Sequence, residues 1–288
     1  MANKTQVFDP SLPVANRLKH SMMVFSVATR IAQETGLNVS LVQAIALLHD
    51  IGHTPFGHLG ERCASALSGK TFKHEIMSVN IAKVDINAAY ETLVGIMLHS
   101  RGMGKMVTNG DVVLEYDAVM FADKLSYVFK DIEDALSIGY LQPQNLPAEY
   151  LYLDLSTCIS ELVKESKKEG RISFSQCETA RQFADLRSWL YINLYTQIDL
   201  GPEREQAYKE MCAVEKFLRE HRDYLQVDPL TALVIMDNNE VRTMAKLALE
   251  PREKELSAVL QQPWVELYKQ LEGVDLFECD LRPELFFK

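Results

Sequence analysis

The chain predicts an all-α fold, on three observations. Only 13 glycines and 10 prolines interrupt 288 residues. Apolar residues recur at three- and four-residue spacing along most of the length. Strict apolar–polar alternation, the mark of half-buried strands, is hard to find. Taking the elements in order, HSMMVFSVATRIAQ (20–33) has helical spacing and stops before Gly36, with Met22, Met23 and Phe25 expected in the core. LVQAIALLHD (41–50) is apolar on most sides and reads as a buried helix, with Ser40 as its expected cap. HDIGHTPFGHLGE (49–61) breaks the pattern at Gly52, Pro55 and Gly57 and reads as a loop feeding a helix over ERCASALS (61–68). Further helices are expected near 73–84, 88–98, 112–137, 147–167, 175–198, 204–223, 229–248 and 252–271. SRGMGKMVTNGD (100–111) is the most flexible-looking insert, and GYLQPQNLP (139–147) is a second break. No internal repeat is visible. The expected organisation is a core over 1–140, with a helical C-terminal part over 141–288 packed against it as one domain.

Composition narrows the classes. A chain that is 47% hydrophobic and 24% charged is an ordinary globular one. Its net charge of −10 repels phosphate backbones, so nucleic acid is not an expected partner. A small anionic substrate would need a locally positive pocket or a metal. The N-terminal MANKTQVFDP lacks the apolar centre of a signal peptide, and no apolar run reaches the ~18–20 residues of a membrane span. The five cysteines are scattered, odd in number and without a CxxC pair, which fits free thiols in a reducing cytoplasm.

The chemistry concentrates early. Five of the seven histidines, His20, His49, His53, His58 and His74, fall in the first 74 residues. A His-Asp dipeptide such as His49-Asp50 is by itself weak, since a helix end uses such residues as caps. A core helix has no packing reason, however, to be followed by His53-x4-His58-x2-Glu61. Imidazole and carboxylate together suit a divalent metal, and cysteine spacing excludes a zinc–sulfur site. A further ligand must come from elsewhere. Asp123 stands among Phe121, Ala122 and Leu125, where a carboxylate is expensive unless it is paired or ligating; the bland alternative is a salt bridge to Lys124 or Lys130. Asp123, Tyr127 and Asp131 are spaced i, i+4, i+8 and share one stripe of a helix. For His53 and Glu61 the bland alternative is local turn and cap hydrogen bonding. His99 and His221 lie outside the motifs and read as ordinary surface or partly buried histidines. KESKKEGR (164–171) reads as a solvated helix end, and Trp189 and Trp264 as packing residues.

Together these segments resemble the HD superfamily and, within it, the deoxynucleoside triphosphate triphosphohydrolases. KTQVF (4–8) resembles the N-terminal signature of that family, and RLKHS (17–21) its Arg-x-x-His-Ser step. HDIGHTPFGHLGE (49–61) is similar to its longest motif. FKHE (72–75) and ADKLSYVFKDIEDAL (122–136) resemble two further segments, and FADLRSWLYINLY (183–195) is loosely similar to the C-terminal half. The resemblance implies an all-α HD-domain helical bundle with a C-terminal helical extension. It implies one divalent metal ion (Mn, Fe, Co, Ni, Zn or Mg) held by His20, His49, Asp50 and Asp123. His53, His58, Glu61 and His74 would surround the α-phosphate and supply acid–base function, while Arg17 and Lys124 contact phosphates. Gln6, Tyr127 and Asp131 would face the sugar and its 3′-hydroxyl.

Two departures stand out. Many bacterial members carry a second Asp where Lys124 stands; the lysine resembles the branch that includes the animal enzymes. The chain is also short for the family, so the regulatory nucleotide sites of larger members are expected to be missing. The implied function is a cytoplasmic, homo-oligomeric dNTP triphosphohydrolase releasing a deoxynucleoside and tripolyphosphate. The alternatives are an HD-type phosphohydrolase acting on a monophosphate, cyclic nucleotide or alarmone, or a non-catalytic nucleotide-binding HD module.

Overall fold

The computed structural model describes residues 1–101, 112–225, 227–249 and 269–282. Within them the regular structure is helical; the single extended pairing is an isolated bridge between Thr5 and Asn16. The SRGMGKMVTNGD insert from residue 102 onward, the expected 252–271 helix up to residue 268, and Trp264 lie outside the described residues.

Helix α1 (Arg17–Thr35) is capped by the Asn16 side chain and ends at Gly36, whose φ of 75° is the left-handed conformation that glycine adopts without penalty. Helix α2 (Val39–Leu48) is capped by Asn38, whose side chain accepts from the Leu41 amide. Ser40, the expected cap, is the second residue of the helix: helical geometry already begins at Val39, so Asn38, holding extended backbone before it, takes the role. Helices α3 (His58–Ser68), α4 (His74–Val84) and α5 (Tyr90–Leu98) follow, then the long α6 (Leu114–Ser137). The expected helix over 147–167 starts later. Residues Ala148–Tyr150 form a 3-10 turn, and α7 (Leu155–Glu169) begins only where Asp154 caps the Thr157 amide. Helix α8 (Glu178–Leu190) runs through a π-turn (Tyr191–Tyr195) into a last α-turn, α9 (Thr196–Asp199). Helix α10 is Pro202–Glu220, and the expected 229–248 helix is two, α11 (Pro229–Ile235) and α12 (Asn238–Leu249). The break falls at Met236, whose ψ of 158° leaves helical space.

Two apolar clusters organise these helices. One gathers Val24, Ile31, Ile45, Leu93, Phe121, Leu125, Leu162 and Phe183 from α1, α2, α5, α6, α7 and α8. The other gathers Cys63, Met77, Met211, Leu218, Leu233 and Met244 from α3, α4, α10, α11 and α12. Helices on both sides of residue 140 therefore contribute to each cluster. The 49–57 loop lies between them, and Ile51 packs against both. Met22, expected in the core, is instead 48% exposed, because it lies on the opposite side of α1 from Val24, Val27, Ala28 and Ile31; Phe25 is partly buried against the core as expected. KESKKEGR is solvated at its lysines, but Glu165 within it is buried and accepts from the Ser175 and Gln176 amides. Trp189 packs partly buried on the first cluster, and His221 lies over the Phe217 ring. All five cysteines are free.

Candidate metal centre and its surroundings

The site begins where α2 ends. His49 is the cap residue, and its Nδ1 lies 2.8 Å from the Ala46 carbonyl. That bond places the ring proton on Nδ1 and leaves the lone pair on Nε2, the arrangement that orients a metal-binding histidine. His49 is fully buried, and its Nε2 has no hydrogen-bond partner. Burial pushes its pKa down, so the ring stays neutral. Around Nε2 stand Asp50 Oδ2 at 3.6 Å and Asp123 Oδ1 at 4.0 Å, and His20 Nε2 is 2.9 Å from that same Asp123 oxygen. His20 comes from the first turn of α1 and Asp123 from the middle of α6, which pack against each other. The Asp123 carboxylate meets His20, while Lys130 pairs with Glu133 and Asp134. Although burial opposes it, the His20 contact holds the Asp123 carboxyl at about 2. An inaccessible imidazole lone pair facing two ionised carboxylates is a poor arrangement without a cation and a suitable one for a divalent ion. A metal therefore fits the residues His20, His49, Asp50 and Asp123.

Asp50 is held from the other side. Arg17 Nη1 donates to Asp50 Oδ2 at 2.5 Å and Arg17 Nε donates to the Thr5 carbonyl at 2.9 Å. Burial alone would raise the Asp50 pKa; neighbouring His49 and Arg17 outweigh it and hold the carboxyl well below its usual range. Arg17, implied by the resemblance as a phosphate contact, is thus committed at two of its nitrogens to positioning the centre. Gln6 is partly buried, and its Oε1 is enclosed without a partner.

The 49–57 loop then turns sharply. Phe56 has a φ of 58°, and the backbone there is fixed by Asn238, whose Oδ1 accepts from the Phe56 amide at 3.0 Å and whose Nδ2 donates to Thr5 Oγ1 at 2.6 Å. Lys4 reaches in from the N-terminus to donate Nζ to the His53 carbonyl at 2.5 Å and the Val234 carbonyl at 3.2 Å. Gly52 and Gly60 permit close approach: a Cβ on Gly52 would lie 2.2 Å from the Ser78 amide nitrogen, and one on Gly60 2.1 Å from the Pro55 carbonyl oxygen.

The turn delivers a second group: His53, His58, Glu61 and His74 lie with donor atoms within 4.8 Å of one another. Glu61 Oε1 is 2.7 Å from His74 Nδ1 and 3.4 Å from His53 Nε2, and the His53 and His74 rings stack at 4.2 Å. Although burial opposes it, Glu61 raises the His74 pKa to about 9. His53, buried with neither ring nitrogen hydrogen-bonded, is pushed well below its usual value by burial and by Arg17. His58, at the start of α3, is the exposed member.

Along α6 the stripe beyond Asp123 is met by α8 and the π-turn. Arg187 Nε donates to Tyr127 Oη at 3.1 Å, and Tyr195 Oη donates to Asp131 Oδ2 at 2.7 Å. Burial drives the Asp131 pKa up to about 7. Lys124, brought down to about 8 by burial and by Arg187, places Nζ 3.4 Å from the Arg101 carbonyl.

The sequence missed four contributors. His99, taken for an ordinary surface or partly buried histidine, is 2% exposed and lies in the site, its Nε2 3.2 Å from His74 Nε2 and 3.7 Å from Asp50 Oδ1. The available signal was its position directly after an apolar helix, the position His49 occupies after α2. Tyr195 and Arg187 were legible only as part of a loosely similar segment, although π-turns such as 191–195 recur at functional sites. Asn238, far away in sequence, gave no signal.

A helical bundle in which a His-Asp step closes one helix and meets a histidine and an aspartate from two others has the architecture of an HD domain. The HD-domain family profile matches residues 17–128. A deoxyguanosinetriphosphate triphosphohydrolase-like protein of Clostridium perfringens is 35% identical over 227 residues, 72% of this chain and 66% of the relative. One from Desulfatibacillum aliphaticivorans is 31% identical over 245 residues, 78% and 68% respectively. One from Caldanaerobacter subterraneus is 32% identical over 222 residues, 72% and 63%. The matched region thus spans about two thirds of these relatives' own length. The chain belongs to this family of deoxyguanosinetriphosphate triphosphohydrolase-like HD-domain proteins. Among the described residues no helix is long and apolar enough to cross a membrane.

Proposed function

We propose that the chain hydrolyses a deoxynucleoside triphosphate to a deoxynucleoside and tripolyphosphate. What supports this is the succession of the His20, His49, Asp50 and Asp123 cradle, the acid–base group on the following turn, and the Tyr127–Asp131 stripe on the helix that supplies Asp123. A divalent ion bound at the cradle would supply charge neutralisation for the phosphate and activation of water. The chain's own residues would do the rest. Asp131 and Tyr127, braced by Tyr195 and Arg187, would receive the sugar 3′-hydroxyl. Glu61 fixes the His74 ring through Nδ1, so that this pair orients water or phosphate. His58, the exposed imidazole at the start of α3, would give a proton to the departing 5′-oxygen. Lys124 would add positive charge toward the phosphates. The same proposal includes a homo-oligomer and a cytoplasmic setting, the first of which size-exclusion chromatography with light scattering checks.

Product analysis by ion chromatography with each of the four dNTPs tests the reaction. Tripolyphosphate and deoxynucleoside in equal amounts are expected. Orthophosphate, pyrophosphate or no turnover would overturn it.

A further inference from the structure

Phe56 is the residue at which the 49–57 turn leaves ordinary backbone. Its φ of 58° puts a residue with a bulky side chain in the left-handed region, and Gly57 continues there at 61°. A conformation of this kind persists only where the surroundings over-determine it. The place matters because His58 follows at once and opens α3, and Gly57, in the cap position, has no side chain with which to fix that first turn. From within the turn, Thr54 Oγ1 donates to the Gly57 carbonyl at 2.8 Å. The direction in which His58 leaves the turn therefore depends on the backbone at Phe56.

Three side chains from beyond residue 200 hold that backbone, each by a different part of Phe56. The Phe56 amide donates to Asn238 Oδ1 at 3.0 Å. Its carbonyl accepts from Arg204 Nη1 at 3.1 Å. Its ring, 4% exposed, is covered by the Arg242 guanidinium, 5.4 Å from the ring centroid. Each holder is itself held. Asn238, fully buried at the start of α12, donates Nδ2 to Thr5 Oγ1 at 2.6 Å and its own amide to the Asn3 carbonyl at 3.2 Å. Arg204, in the first turn of α10, stands 3.7 Å from Asp199. Arg242, on α12, pairs with Asp9 and lies 4.0 Å from Glu210. All three lie outside the segments that carry the cradle and the acid–base group. Amide, carbonyl and ring of one residue are thus engaged from two helices, which sets its φ and ψ from both sides.

We propose that Asn238, Arg204 and Arg242 are positioning residues for the hydrolysis: by clamping Phe56 in its left-handed conformation they place the His58 imidazole for proton transfer. The inference rests on the reading of His58 as the proton donor to the 5′-oxygen. On this account the three act through His58 and touch no substrate. A reacting group displaced by about 1 Å can lose about 10²-fold in rate. Loss of one holder should therefore appear in kcat, with KM and metal content close to those of wild type. The competing account is a brace for the turn that serves stability alone.

The experiment is a double-mutant cycle on the full chain, assayed with Mn²⁺ and each of the four dNTPs. Asn238→Ala, Arg204→Met and Arg242→Met are made alone and together with His58→Gln, and folding is checked by circular dichroism. Arg204→Met keeps the aliphatic stem of a partly exposed side chain, so it reports even where the buried Asn238→Ala fails to fold. Asn238→Ala and Arg204→Met are each expected to lower kcat by about 10–10²-fold while KM changes by less than about 3-fold. Arg242→Met, which leaves both backbone bonds of Phe56 in place, should fall least. In the His58→Gln background the same substitutions should add less than about 3-fold, because the group they place is gone. A full-sized further loss in that background would overturn the proposal, and so would unchanged kcat in Asn238→Ala and Arg204→Met or a His58→Gln protein of normal kcat. Amide hydrogen exchange over residues 53–60 needs no turnover. Faster exchange there in Asn238→Ala and Arg204→Met, with wild-type protection elsewhere, is expected, and unchanged exchange would overturn the clamp. A wild type inert toward all four dNTPs would overturn the hydrolysis reading, and the exchange result would then decide the clamp by itself.

Discussion

Asp131 is a buried carboxyl whose pKa, raised by burial to about 7, makes it the group to perturb first. It is 2% exposed, and its facing groups are Tyr195, which donates to it, His20 and Arg17, which favour its charge, and Asp134, which opposes it. An unfolded aspartate titrates at 3.8, so the folded chain holds a proton that the unfolded chain has released between about pH 4 and 7. Folding is therefore favoured by this group at low pH, and that contribution is lost as pH rises through 7. A shift of about 3 units at about 1.4 kcal/mol per unit gives a ceiling near 4 kcal/mol, and relaxation around the charge brings the expected effect to about 2–4 kcal/mol. Asp131→Asn keeps an oxygen that accepts from Tyr195 and cannot ionise. Relative to wild type it should be near neutral at pH 4.5 and more stable at pH 8. At roughly 2 °C per kcal/mol for a chain of this size, the gain in thermal midpoint at pH 8 is about 4–8 °C. Calorimetry of both proteins from pH 4.5 to 8 measures it, and taking the difference between them cancels the other titrating groups. A difference in midpoint that does not change with pH would refute the burial argument. At the same time, dNTP affinity should fall in the variant if the carboxylate accepts the sugar hydroxyl.

Three further outcomes are expected. Asp123→Ala removes a carboxylate from the His49 Nε2 environment and should lose both turnover and tight metal binding; full metal occupancy in the purified variant would remove Asp123 from the ligand set. Dideoxynucleoside triphosphates lack the hydroxyl that Tyr127 and Asp131 would bond, leaving those groups unpaired, so their kcat/KM should fall by about 10²-fold or more; equal values would reject the sugar role. Gly60→Ala forces a methyl into the Pro55 carbonyl and should cost about 1–3 kcal/mol, seen in the thermal midpoint, with weaker metal binding as the loop shifts; an unchanged midpoint would show that the loop yields freely.

What could be read from the sequence tracks how local the governing physics is. The histidines and carboxylates of 49–61 announced themselves because no packing rule asks for them at that spacing, and Asp123 because an ionised side chain among Phe121, Ala122 and Leu125 needs a partner. Helix α1 ended where Gly36 said it would, since a left-handed residue is a local signal. The cap of α2 was misjudged by two residues because Asn38 and Ser40 are both competent, and only the backbone chooses between them. Met22 was misplaced because a continuous apolar run does not say which side of α1 faces inward. His99 was passed over for the reason that makes it informative now. Its place beside His74 and Asp50 depends on α5 lying against α2 at Gly95 and on His74 arriving from α4. Each of these is a relation between elements rather than a property of a segment. The same holds for Asn238, which holds Thr5 and Phe56 from more than 180 residues away. The early motifs supply the proposed ligands, while the later helices fix the turn that aims them. A substitution in the second apolar cluster should therefore reach the candidate metal centre through the 49–57 loop rather than through any proposed ligand.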